Sequence, residues 1–168
     1  LMDIKIKEAN KSNFEELIFL RILLLKHDSQ LDSSELYNIA RIQKSVLYMK
    51  KYLKKEDNKY FISYHNDLPV GYLHVTYDDD KNKNSSYASE LYLLDAYRGN
   101  GIGKMMMMHL FKFLKKKNIT ENTLTTAKYK NKKVIDFYSG LGYSITKEDK
   151  KKNIVYFIKT IIPPKTHS

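Results

Sequence analysis

Glu90-Leu-Tyr-Leu-Leu-Asp-Ala-Tyr-Arg98-Gly99-Asn100-Gly101-Ile102-Gly103-Lys104 is the stretch from which the rest of this chain can be read. An apolar strand runs into a glycine-rich turn that opens directly onto a long amphipathic helix. That layout holds a phosphate on a helix N-terminus, where unpaired backbone N–H groups and the positive end of the dipole both favour an anion. Glycine keeps side chains away from the amides and supplies positive φ where the turn requires it. Strand, arginine, glycines, lysine and helix arrive here in the order such a site needs.

The same residues exclude two nucleotide motifs. A Walker loop ends in Gly-Lys-Ser/Thr, but Gly103-Lys104 is followed by Met105. A dinucleotide fingerprint needs a third glycine, and that position is Met106 counted from Gly101 and Lys104 counted from Gly99. What remains, Arg98-x-x-Gly101-x-Gly103, resembles the coenzyme A pyrophosphate loop of the GCN5-related N-acetyltransferase (GNAT) superfamily. That loop reads Arg or Gln, two residues, Gly, one residue, then Gly or Ala. A second match is Asn131-Lys-Lys-Val134-Ile-Asp-Phe137-Tyr138-Ser-Gly140-Leu141-Gly142-Tyr143. The superfamily commonly shows Asn, then Ala three later, then Phe-Tyr, then Gly-Phe or Gly-Tyr. Val134 stands at the Ala position, and Asp95 replaces a proline frequent in the first motif. By spacing alone, Val134, Phe137, Tyr138 and Leu141 form an ordinary apolar stripe.

Composition sets bounds around these motifs. At 168 residues and 42% hydrophobic content, the chain is expected to be one domain, residues 1–168, with a tail disordered from about 161. There are no cysteines, which excludes disulfides, thiolate metal sites and a cysteine nucleophile, and fits a cytoplasmic protein. Asp3, Ile4, Lys5, Ile6 and Lys7 alternate charge with apolar character, unlike a secretory leader. No apolar run approaches the roughly 20 residues of a membrane helix. The net charge of +11 invites a nucleic-acid reading. The lysines, however, are spread over 50–55, 115–117, 128–133 and 147–152, the pattern of a solvated surface. Five histidines without paired spacing suggest no metal site.

Hydrophobic periodicity gives a short strand over 2–7 and a helix over 12–26, opened by a capping box at Ser12 and Glu15. Phe14, Leu17, Ile18, Arg21, Leu24 and Leu25 set that helix's stripe. A second helix is expected from Ser33-Ser34-Glu35 to just before Asp57. Strands follow at 60–64 and 70–77, joined by His65-Asn66-Asp67-Leu68-Pro69, and at 86–94. The helix over about 101–117 packs through Ile102, Met106, Leu110 and Phe113. A strand at 124–126, a helix at 131–141 and strands at 143–146 and 154–158 complete the order. This is a mixed α/β (α+β) pattern. The resemblance implies the GNAT fold, a mostly antiparallel mixed sheet of six to seven strands flanked by about four helices.

The resemblance also implies an activity. The chain is expected to be an acyl-CoA-dependent N-acetyltransferase, moving an acetyl group directly from acetyl-CoA to an amine of a small molecule or peptide in a ternary complex. The pyrophosphate would rest on Arg98, Gly99, Asn100, Gly101, Ile102, Gly103 and Lys104. Pantetheine would run along residues 91–94 and reach Asn131, with the thioester near Leu93 and Tyr138. A free alkyl amine has a pKa of roughly 10, so a proton must leave before attack, and Glu90 is the candidate base. The backbone N–H of Leu93 or Leu94 is the oxyanion donor, and Tyr138 the acid that protonates the departing thiolate. Asp28, Asp32, Glu35 and Asp78-Asp79-Asp80 form acidic turns that could receive a cationic amine or simply be solvated. Two alternatives remain open: a non-catalytic acetyl-CoA sensor, and a basic nucleic-acid- or ribosome-associated protein. Dimers are frequent in the superfamily, so a homodimer is also open.

Overall fold

A computed structural model describes residues 2–32, 37–78, 84–127 and 132–162. Strand β1 (Ile4–Glu8) leads into a tight 3-10 turn at Lys11–Asn13 and helix α1 (Phe14–Leu31). The helix entry is capped differently from the expected Ser12/Glu15 box. Asn10 accepts from the Ser12 N–H at 2.8 Å, and Asn13 accepts from the Asn10 N–H at 3.0 Å. Asparagine takes the role because its carboxamide oxygen reaches the amide two residues on without a helical backbone. Helix α2 (Ile39–Tyr52) is capped by Asn38, whose oxygen takes the Arg41 N–H at 2.9 Å. Ser33, Ser34 and Glu35, the expected start of this helix, lie outside the described residues.

Strands β2 (Asn58–His65) and β3 (Leu68–Asp78) form a hairpin. Its two central residues, Asn66 and Asp67, have φ of 48° and 64°. That turn geometry matches the natural twist of paired strands, and Asn and Asp tolerate it. Then come β4 (Ser85–Leu93), α3 (Ile102–Lys116), β5 (Glu121–Ala127), α4 (Lys132–Gly140), β6 (Ser144–Asp149) and β7 (Ile154–Thr160). The strands lie in the order β1-β2-β3-β4-β5-β7-β6, so among the described residues the expected mixed α/β sheet of six to seven strands has seven, with four helices. β5 is longer than the Leu124–Thr126 core that its sequence suggests, because β7 pairs along it from Glu121 to Ala127.

The chain divides into two compact units. The first comprises residues up to 75 together with 90–106. Its core gathers Leu17 and Leu20 of α1, Met49 of α2, and Tyr60, Ile62, Tyr64, Tyr72 and Tyr92 of three strands. The second comprises 76–89 and 107–168. There Leu110, Leu114, Ile119, Leu124, Val155 and Phe157 are buried, around one satisfied polar cluster. Asn122 donates to Ser86 Oγ at 2.8 Å and accepts from Tyr143 Oη at 2.6 Å. On α3 the buried stripe is wider than its sequence suggests. Met107 and Leu114 join Ile102, Met106 and Leu110, while Phe113 is only half-buried.

One backbone approach in the first unit tolerates no side chain. A Cβ on Gly71 of β3 would lie 2.4 Å from Leu93 Cδ2, 2.6 Å from the Tyr92 carbonyl oxygen and 2.9 Å from Ser63 Oγ. The backbone oxygen cannot move aside, so β3 and β4 must separate. Gly71→Ala is expected to lower stability by about 1–3 kcal/mol, as overpacking of a closed interior does. Guanidinium unfolding of the two proteins checks this, and equal midpoints would refute the close packing of the strands.

Candidate active site

The glycine turn is built as the sequence implies. Gly99 and Gly101 have φ of 76° and 79°, a region that disfavours other residues, whereas a Cβ at either would meet nothing within 4 Å. Conformation, not crowding, therefore requires both glycines. The first α3 bond outside the helix's own ladder runs from Met105 N to Gly101 O at 3.0 Å. The amides of Ile102, Gly103 and Lys104 precede that ladder and have no carbonyl in the helix to receive them. Ile102 anchors this helix end, only 1% exposed.

Arg98 does not extend over the turn. Its Nε donates to the Leu93 carbonyl at 3.0 Å, and its Nη1 lies 3.0 Å from Asp95 Oδ1 and 3.3 Å from His27 Nε2. Its guanidinium carbon sits 5.5 Å from the centre of the Tyr92 ring. The side chain ties the turn to the end of β4 and to α1, and the backbone that follows presents the amides.

Strand β4 has an unusual pairing. It joins β5 in parallel only through Ser85–Tyr87 opposite Glu121–Thr123. On its other side, Leu94 N donates to Val70 O at 2.9 Å, which commits that amide to β3. Leu94 is thus unsuited to the oxyanion role proposed for it. Successive residues of a strand point their N–H groups to opposite edges, so the Leu93 amide turns away from β3, toward the edge where pairing with β5 has ended.

Glu90, on the same strand, is the centre of a polar cluster inside the first unit. Its Oε2 accepts from Arg21 Nη1 of α1 at 2.6 Å and from the Tyr72 hydroxyl of β3. Burial, then the Glu90 charge, pushes the fully buried Tyr72 phenol well up, so this hydroxyl donates and does not ionise. Tyr60 of β2 is buried, with a hydroxyl that has no hydrogen-bond partner among the described residues. Burial first and the Glu90 charge second push its phenol up too. Tyr60 stacks on His74 with ring centres 4.1 Å apart and planes at 12°, and His74 Nε2 lies 2.9 Å from Asn58 Oδ1. Of this group the sequence singled out only Glu90. Arg21 left a trace, an arginine occupying a position in an otherwise apolar stripe.

Tyr138, on α4 of the second unit, is half-buried among Tyr143, Phe157 and Phe137, at ring-centre distances of 5.7, 5.7 and 5.0 Å. Burial pushes its phenol up to about 12, so it carries a proton at neutral pH. No hydrogen bond reaches its hydroxyl among the described residues. Asn131, Asp79 and Asp80 lie outside them. No three His, Cys, Asp or Glu side chains are grouped to hold a metal among the described residues. No helix among them is long and apolar enough to cross a membrane.

Residues 25–143 match the acetyltransferase (GNAT) family. The chain belongs to that family. It is 31% identical over 106 residues to N-alpha-acetyltransferase 50 of Danio rerio, covering 63% of this chain and 60% of the relative. It is 32% identical over 95 residues to the probable N-acetyltransferase san of Drosophila melanogaster, covering 55% and 52%. The chain thus spans little more than half the length of these relatives. Among solved structures it is similar to the PaiA N-acetyltransferase of Thermoplasma acidophilum in complex with coenzyme A. There the TM-score is 0.71, identity is 20%, and coverage is 95% of this chain and 99% of that one. This likeness confirms the GNAT fold.

The polar cluster of this GNAT protein has a measurable signature. Burial first, and the Arg21 charge second, lower His74 to about 4. A histidine held below its ordinary value stabilises the fold fully above pH 6.5, and that contribution is lost as pH falls toward 4, by about 3 kcal/mol. Guanidinium titrations between pH 7 and pH 4 should show the loss, and His74→Phe should flatten it. A variant whose pH dependence equals that of the wild type would exclude His74 as its source.

Proposed function

We propose that this protein transfers the acetyl group of acetyl-CoA to an amine. The observation that carries the proposal is the glycine turn at the head of α3, beside a strand that among the described residues pairs with β5 only as far as Tyr87. Both features suit coenzyme A. Amides and dipole of a helix N-terminus favour a pyrophosphate, with Gly99–Lys104 supplying the contacts and Arg98 holding the turn. The open edge of β4 supplies N–H and C=O groups that an amide-bearing pantetheine can bond as an added strand would. Asn131 is assigned to the same arm.

Each reacting group has a candidate. The Glu90 carboxylate receives the acceptor's N–H and draws its proton away, leaving the nitrogen lone pair to attack the thioester carbon. The Leu93 amide faces the oxygen as it becomes negative. When the C–S bond breaks, Tyr138 gives its proton to the sulfur. Burial keeps the Tyr138 hydroxyl protonated at neutral pH, so it can donate to the sulfur as negative charge develops there. The acceptor is an amine of a small molecule or peptide. The absence of cysteine supports a reducing, cytoplasmic setting.

Incubation with acetyl-CoA and an amine panel, reading free thiol, tests the activity, and the cysteine-free chain adds no background. Tyr138→Phe should lower kcat by roughly 100-fold, the contribution of a positioned acid, while acetyl-CoA affinity barely changes. Unaltered turnover would remove Tyr138 from the reaction.

A further inference from the structure

The Arg21–Glu90 pair does more than hold a carboxylate in place. We propose that it forms an acceptor subsite for an α-amine bearing an adjacent carbonyl, as at a peptide N-terminus, and that Arg21 is the specificity residue. The inference rests on the transferase reading above and names its acceptor.

The carboxylate is used asymmetrically. Arg21 and Tyr72 both donate to Oε2, and Oε1 has no partner among the described residues. Arg21 engages Glu90 through Nη1 and also interacts with the Tyr72 hydroxyl, two acceptors for the five N–H donors of a guanidinium. Both side chains reach solvent, at 24% and 17% exposure, so the pair is open to a ligand. The buried Tyr60 hydroxyl, unpartnered among the described residues, sits within the field of the same carboxylate. On α2, Tyr48 feels both charges and exposes its ring, which is tilted against Tyr52 with ring centres 4.1 Å apart.

A ligand that satisfies these groups offers an N–H to Glu90 Oε1 and an oxygen acceptor to the guanidinium. An α-amine with its own carbonyl carries both on adjacent carbons. A polyamine does not. Its first ammonium meets a pair whose charge already sums to zero, and it carries no oxygen for the guanidinium. The proton balance points the same way. An α-amine with a pKa near 8 is roughly one quarter neutral at pH 7.5, whereas an alkyl ammonium near 10.4 is only about 0.1% neutral. A carboxylate with one oxygen committed to a guanidinium therefore has less to do for an α-amine.

The test compares alanyl-alanine amide with putrescine as acceptors. In the wild type the peptide should show a kcat/KM at least about 10-fold higher, the worth of one charge-assisted hydrogen bond. Arg21→Gln should raise the peptide's KM by roughly 10-fold or more, with kcat less affected, and narrow or invert the preference, because Glu90 then presents its full charge. Arg21→Lys, which keeps the charge and so guards against misfolding, should keep the peptide preferred. Equal or better use of putrescine by the wild type would overturn the proposal, as would an Arg21→Gln loss equal for both amines. If acetyl-CoA binds but neither amine releases thiol, the transferase reading fails. Calorimetric titration of the two amines into the coenzyme A-bound protein then decides the subsite alone: tighter peptide binding supports it, and equal or absent binding refutes it.

Discussion

Everything of chemical interest depends on how strand β4 is held. It is bonded to β3 up to Leu94 and to β5 over only three residue pairs. A strand inside a sheet that lacks a partner along one edge exposes backbone donors and acceptors, which a protein ordinarily covers or pairs. Here the free edge is kept rigid by what lies on the other side. Gly71 lets β3 approach until no side chain fits between them, and Leu94 N is bonded to Val70 O. Arg98 then binds the Leu93 carbonyl and the His27 ring, so the glycine turn leaves β4 at a fixed angle. The amide edge and the helix N-terminus are thereby presented by one continuous, braced segment, as preorganised binding of a long cofactor requires.

The Arg21–Glu90 pair is poorly explained as a stability element. Taking two charges partly out of water costs much of what their attraction returns, and an apolar pair of similar size would hold α1 to the sheet as well. The pair also brings Tyr72 with it, a buried phenol where phenylalanine would fill the same space without a polar group. Tyr60 carries a further buried hydroxyl with no partner among the described residues. Four polar side chains from four elements, converging where apolar ones would be easier to bury, violate the packing rule in the way functional sites do.

The parts of this protein that were legible in the sequence are those governed by local physics. Positive φ at Gly99 and Gly101 and the burial of Ile102, Met106 and Leu110 follow from spacing and from glycine itself. The first helix entry is capped otherwise than expected because Ser12 is an equally good cap by composition; Asn10 takes the role through backbone geometry that only the folded chain fixes. The Arg21–Glu90 contact joins residues 69 apart, and no periodicity encodes such a meeting. The use of Arg98 as a brace was hidden for the same reason. Its motif position says that an arginine belongs there, while its direction depends on Leu93, Asp95 and His27 together. Of the acidic turns, Asp79, Asp80 and Glu35 lie outside the described residues, whereas the acidic residue at the centre of the described cluster is Glu90.

The charge of the whole chain and the neutrality of this pair are consistent with each other. A protein of net +11 attracts a polyphosphate at long range and opposes the approach of a polycation. Lysines on many surfaces make that field broad, so it favours the arrival of coenzyme A whatever the acceptor is. A site meant for a polyamine would need locally uncompensated carboxylates to overcome the field. At Glu90 the opposite is found, since Arg21 offsets the charge at 2.6 Å and leaves one oxygen and unused guanidinium donors for a ligand that is itself polar at two adjacent points. Long-range and short-range electrostatics therefore favour the same pair of proposed substrates, an anionic acyl donor and an acceptor with little positive charge beyond the reacting amine.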